Sequence, residues 1–97
     1  MAYQPSIYIL TNKKNGTLYI GVTSNLIQRV WQHKAKVTQG FSNKYGLAKL
    51  VYYELHGDID GAILREKQLK KWRQLWKLNL INEQNPDWID LWDQIVE

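Results

Sequence analysis

Three groups of residues in this chain could do chemistry. Glu66 lies in a segment where Ile59, Ala62 and Ile63 form an apolar stripe at about 100° per residue, and it falls inside that stripe. Glutamate is rarely buried unless it is paired or binds a metal. An i, i+4 ion pair with Lys70 is one reading and a ligand role is the other; the residues alone weigh the two evenly. Arg29 and His33 are four apart as well, so they neighbour each other on a helix surface and form a candidate anion site. The third group is Tyr8, Tyr19 and Gly21. Either tyrosine alone is an ordinary strand residue. Two phenols beside a strand glycine are less ordinary, because such a glycine often marks a close approach.

The elements that position these groups start with a β-hairpin. Two apolar, β-branched and aromatic runs flank Asn15-Gly16, a dipeptide suited to a two-residue turn. With those two residues as the loop, Lys14 faces Thr17, Tyr8 faces Thr23, Leu10 faces Gly21 and Asn12 faces Tyr19. Side chains alternate along a strand. Ile7, Ile9, Leu18, Ile20 and Val22 then share a core face, with Tyr8, Tyr19 and Gly21 on the other. Thr23, Ser24 and Asn25 are cap-type residues, and Asn25 with Gln28 resembles a capping box. The helix they open carries Leu26, Val30 and Val37 on one stripe, with His33 among them and Arg29 at its edge.

Ser6-Ile7-Tyr8, then Tyr19-Ile20-Gly21, then Arg29 and His33, followed by a helical glutamate, resemble the GIY-YIG nuclease pattern. The similarity runs over nearly the whole chain and matches the small stand-alone members of that superfamily. Ser6 stands where the first glycine would be, a harmless exchange if the backbone there needs no positive φ.

Ninety-seven residues, 44% of them apolar, suit one domain with one aromatic-rich core, residues 1–97. The absence of cysteine excludes disulfides, thiolate metal sites and a cysteine nucleophile. Neither a long apolar run nor a signal-peptide pattern is present, so a soluble cytoplasmic protein without membrane contact is the expectation. All thirteen Lys and Arg precede residue 78, while five of the nine acidic residues fall in the last fifteen; residues 1–82 thus carry +9 and the tail −5. A basic body suits a polyanionic partner, although a solvated surface has the same composition.

Further along, Thr38 to Gly46 reads as a loop, with Lys44 and Tyr45 as a surface pair or, second, a substrate contact. Leu47 to Leu55 contains a third strand, with Leu50, Tyr52 and Glu54 on one face and Val51, Tyr53 and Leu55 on the other. Asp58 or Asp60 caps a long helix running to about Leu75 or beyond. Its residues Arg65, Lys67, Lys70, Lys71 and Arg73, with Lys77, form the densest basic run, a backbone-tracking face. Trp72 and Trp76, one turn apart, suit a core better than a stacking platform. Asn85-Pro86-Asp87 reads as a helix start, with Trp88, Leu91, Trp92 and Ile95 as its apolar stripe.

The resemblance implies an α/β (α+β) fold, a small three-stranded antiparallel sheet flanked by helices. It also implies metal-dependent endonucleolytic hydrolysis of DNA, structured, nicked or repair-related, through a single Mg²⁺ or Mn²⁺. No cluster has the carboxylate density of a two-metal site, but one glutamate is enough for a hard cation that keeps its waters. On this reading Glu66 is catalytic and holds the metal, and Arg29 meets the charge developing on the scissile phosphate. Tyr8 helps deprotonate water, provided nearby cations lower its pKa. Tyr19 orients water or phosphate, and His33 bonds the phosphate or assists proton transfer. Gly21 leaves room for the phosphate, while Lys44, Lys70, Arg73 and Asn85 contact nucleic acid, with Asn79 and Asn82 as alternatives to Asn85. The competing readings are a non-catalytic nucleic-acid-binding domain and an adaptor docking through its Trp-rich acidic tail. A monomer or weak homodimer is expected.

Overall fold

The computed structural model describes residues 3–36 and 46–97. Its centre is a three-stranded antiparallel sheet in the order β2-β1-β3, built from β1 (Ser6–Thr11), β2 (Leu18–Thr23) and β3 (Lys49–Leu55). Helices α1 (Leu26–Lys34), α2 (Ile59–Lys71), α3 (Gln74–Gln84) and the single turn α4 (Trp92–Ile95) surround it. The fold class expected from the sequence is the one observed. Among the described residues no helix is long and apolar enough to cross a membrane.

β1 is the middle strand, and all six of its residues are buried. Its side chains alternate between two apolar clusters, one on each side of the sheet. Ile7 and Ile9 join Ile20, Val51, Ala62, Leu69, Ile81 and Trp88 on one side. Tyr8 and Leu10 join Leu26, Val30, Leu47, Leu50 and Leu91 on the other. Fully burying an aliphatic side chain contributes about 1.5–3 kcal/mol, so β1 is pinned from both faces. Ser6 sits in strand geometry, outside the positive-φ residues, and its hydroxyl donates to the Gln4 carbonyl at 3.0 Å. The serine-for-glycine exchange is therefore accommodated.

The hairpin register differs from the sequence expectation by two residues. Tyr8 pairs with Gly21, Leu10 with Tyr19 and Thr11 with Leu18. The turn closes instead between Lys13 and Gly16, whose amide reaches the Lys13 carbonyl at 2.9 Å, and Asn15 takes the positive φ of 59°. The Thr11 hydroxyl lies 2.9 Å from the Lys13 carbonyl and 2.8 Å from that of Thr17, which holds the wider loop. An even shift leaves every side chain on its expected face.

β3 does not alternate simply. Tyr52 pairs with Ile9 but Leu50 pairs with Leu10, so a bulge places Val51 and Tyr52 together on the α2 side and Leu50 with Tyr53 on the α1 side. Leu50 and Tyr52 are thereby on opposite faces, contrary to the strict alternation.

The long helix is two helices. Asp58 caps α2 by accepting from the Gly61 amide at 2.7 Å, and the chain turns extended at Trp72 and Arg73 before α3. A straight continuation would leave the sheet; the break returns Ile81 to the cluster that holds Leu69. Trp72 packs against this cluster under the Arg65 guanidinium, whereas Trp76 is about half exposed.

The tail also departs from its local signals. Asn85 ends α3 rather than starting a helix, and Trp88 adopts φ 54° with its indole fully buried. The segment runs along the outer edge of β3. Gln84 bonds both the N–H and C=O of Tyr53, Asn85 donates to Val51, and the Leu91 amide donates to Leu50 at 2.8 Å. Covering a strand edge satisfies its backbone groups and outweighs a cap-and-proline helix signal.

Candidate active site

Tyr8 on β1 and Tyr19 on β2 share the sheet face toward α1, and the last turn of α1 brings His33 onto both. The three rings form a triangle with centroid separations of 6.2, 5.8 and 5.5 Å. α1 is fixed by Asn25, whose carbonyl side chain accepts from the Gln28 amide at 3.1 Å, as the capping pattern anticipates. Val30 and Leu26 face the core, and from there His33 follows on the same stripe. Its Nε2 lies 3.2 Å from the Tyr8 hydroxyl, in a buried contact.

Gly21 has a reason different from the one expected. A Cβ there would stand 2.4 Å from both Cζ and Oη of Tyr8. The space over the glycine is filled by the Tyr8 phenol rather than left open for a phosphate. Gly21 lets the ring pack directly over β2, with its hydroxyl at His33.

Electrostatics define what this pair can do. Burial pushes the Tyr8 phenol well above its ordinary range; Tyr19 pushes it further, and the Arg29 guanidinium pulls back without offsetting them. A smaller upward push comes from the Glu66 carboxylate. The expected lowering by nearby cations is thus not achieved by Arg29, because desolvation of a phenolate is the larger effect. His33 shifts the opposite way: burial, then the Arg29 charge, lowers it from the ordinary imidazole value of 6.5. The imidazole is therefore neutral at pH 7, able to accept from the Tyr8 O–H through Nε2 if Nδ1 carries its proton.

A stability prediction follows from the sign of that shift. Below pH 6.5 the unfolded chain protonates His33 while the folded chain does not, so folding loses stability as pH falls from there toward the lowered native value. Urea unfolding at pH 7.0 and 5.5 is expected to show this loss in the wild type and a smaller one in His33→Gln. Equal pH dependence in the two proteins would contradict the shift.

Glu66 is held on α2 between the buried Ala62 and Leu69, with its side chain 13% exposed. Lys70 Nζ approaches Glu66 Oε2 at 2.8 Å and is itself largely exposed. The intrahelical pair weighed against a ligand role is thus present. Because the Glu66 charge also acts on Tyr8, as Arg29 does on Tyr8 and His33, these residues and Tyr19 share one electrostatic neighbourhood. No group of three or more metal-ligating side chains occurs among the described residues. One half-buried carboxylate is a hard oxygen donor, suited to a divalent cation that keeps several waters and takes the rest of its ligands from substrate phosphate.

Lys70 borders a cavity beside β2 that Tyr19 also lines. Arg73 is exposed, with its guanidinium 5.7 Å from the Trp76 ring centre. Lys44 lies outside the described residues, as do Tyr45 and Val37. Asn85 is buried, and its amide bonds the Val51 carbonyl and both backbone groups of Ile89. Its work is to tie the tail to β3. Asn82 accepts from the Trp88 indole, and Asn79 borders a shallow groove with Trp72 and Trp76.

Two members of the basic run have particular contacts that the sequence pattern did not reveal. Arg65 forks onto Glu54 through three contacts of 2.9–3.2 Å, and Glu54 also accepts from the Tyr52 hydroxyl. Burial pushes the Glu54 carboxyl up, but the Arg65 and Tyr52 hydrogen bonds outweigh it and hold it below the usual range. This clamp joins β3 to the turn of α2 that carries Glu66. Lys77 was visible only as one more cation, seven residues after Lys70, although it lines the same cavity.

Comparison with known proteins adds a family. A model of the GIY-YIG catalytic domain matches residues 4–79. A UPF0213 protein of Syntrophus aciditrophicus is 35% identical over 82 residues, covering 84% of this chain and 92% of the relative. UPF0213 proteins of Clostridium perfringens and Staphylococcus haemolyticus are 34% and 31% identical, covering 81% and 79% of this chain and 84% and 93% of their own lengths. No solved structure matches the chain significantly.

Proposed function

The chain belongs to the GIY-YIG catalytic-domain family, a family of nucleases, and on that premise we propose that it is a divalent-metal-dependent endonuclease hydrolysing DNA phosphodiester bonds, structured or nicked DNA included. The observation that carries the reading is the Tyr8–His33 contact, a neutral imidazole on a buried phenol, within the fields of Arg29 and Glu66. A domain that only binds nucleic acid needs none of the four in this relation.

Each side chain then has a task. A divalent cation held by Glu66 supplies Lewis acidity toward the scissile phosphate when bound. Arg29, exposed beside the phenol pair, meets the negative charge that develops on that phosphate. Tyr8 accepts a proton from the attacking water at Oη while passing its own to His33 Nε2, so the phenol need not ionise alone in a desolvated site. This relay replaces the free phenolate that burial disfavours. Tyr19, packed on both rings, orients water or phosphate at the open side.

The test is a nicking assay with purified protein on supercoiled, flap, junction and single-stranded DNA, with Mg²⁺ or Mn²⁺ and with chelator. Cation-dependent cleavage is expected. Tyr8→Phe should keep the ring over Gly21 but lower kcat by at least about 10²-fold, the range of general acid–base catalysis, with DNA affinity nearly unchanged. Tyr8→Phe cleaving at the wild-type rate would remove the relay. Binding without cleavage by the wild type would turn the reading to a non-catalytic nucleic-acid-binding domain.

A further inference from the structure

β2 is an edge strand, and the junction of α2 and α3 stands off from it across a cavity of about 450 Å³. Thr17 to Ile20 line its strand side, and Lys70, Gln74 and Lys77 line its helix side. Both charged residues among these are cations. Lys70 is engaged with Glu66 at 2.8 Å. Lys77 is half-buried, and its Nζ approaches the Lys70 carbonyl at 3.4 Å. Among the described residues Lys77 takes part in no ion pair.

A half-buried ammonium facing a polar, open groove without a carboxylate has the field of an anion site, and a lysine suits phosphate as a point charge. Tyr19 belongs to this cavity and to the ring triangle at once. A strand whose scissile phosphate lies at the triangle and that continues past Tyr19 along the β2 edge meets Lys70 and Lys77. The Thr17 and Gln74 side chains provide neutral hydrogen-bonding groups on opposite walls.

We propose that Lys77, with Lys70 and Gln74, holds the DNA phosphate that flanks the scissile one along the β2 edge. The assignment rests on the nuclease reading for its register, but it is measurable by binding alone. Lys77 would hold the strand equally in the ground and transition states, through a phosphate removed from the reacting atoms.

The experiment measures binding of a labelled oligonucleotide to the wild-type protein in chelator, across a series of salt concentrations. Lys77→Ala is expected to weaken binding about 3–10-fold near 100 mM salt and to reduce the salt slope by about one, as loss of a single phosphate contact does. Lys77→Arg should restore both. Replacing single phosphates of the oligonucleotide by neutral methylphosphonates should weaken wild-type binding at one flanking position, with no added loss at that position in Lys77→Ala. In cleavage, Lys77→Ala should raise KM and leave kcat unchanged. Wild-type affinity and salt slope in Lys77→Ala would overturn the proposal while an active wild type kept the nuclease reading. A wild type that binds through Lys77 but never cleaves would do the reverse.

Discussion

Glu66→Gln is expected to lower the rate of DNA cleavage by at least about 10³-fold, at the upper end of what removing one charge-stabilising group costs an active site, and to leave the fold intact. The carboxylate is an acidic side chain whose charge acts on Tyr8. Glutamine keeps its size and an oxygen acceptor but not the charge that holds a cation. Its ion pair with Lys70 is solvent-screened through a lysine that is 54% exposed. An i, i+4 pair of that kind is worth only about 0.3–0.5 kcal/mol, so a melting curve should barely move. DNA affinity in chelator should hold or rise, since a negative charge leaves a basic surface. Full cation-dependent activity in a folded Glu66→Gln protein would refute the ligand role and leave Lys70 as the carboxylate's sole purpose.

The second large effect is expected from a single methyl group. In Gly21→Ala the new Cβ would lie 2.4 Å from Cζ and Oη of Tyr8 and 2.9 Å from Cε1, closer than real contacts allow. The ring cannot yield freely, because it is 1% exposed and its hydroxyl is held at 3.2 Å from His33. Overpacking of this kind costs about 1–3 kcal/mol, a fall in melting temperature of roughly 4–8 °C per kcal/mol for a domain of this size. The displaced hydroxyl loses His33, and a reacting group moved by about 1 Å can cost 10²-fold in rate. Gly57→Ala is the control, since a Cβ there meets nothing within 4 Å. If Gly21→Ala melts and cleaves like Gly57→Ala, the ring triangle does not set the geometry of catalysis.

The aromatic triangle, the guanidinium and the carboxylate were legible because their placement depends on periods rather than on register. The hairpin's pairing shifted by two residues from expectation, yet Tyr8, Tyr19 and Gly21 kept a common face. A shift of one would have turned the tyrosines to the other side of the sheet. Likewise Glu66 falls on the inward side of α2 whatever happens after Trp72, since Ala62 and Leu69 set that face within two turns.

What sequence could not supply was decided by distant partners. Asn85-Pro86-Asp87 has strong helix-start chemistry, but the open edge of β3 needed donors and acceptors, and Gln84, Asn85 and Leu91 provide them. The bulge in β3 and the break at Trp72 arise the same way, from fitting Tyr52 and Ile81 into one cluster. Gly21 makes the division plain. Its position beside two phenols follows from strand alternation, but only the folded sheet reveals that Tyr8 itself occupies the space above it. Local chemistry and periodicity chose which side chains meet. Long-range packing, where burial outweighs local preference, chose what each of them touches.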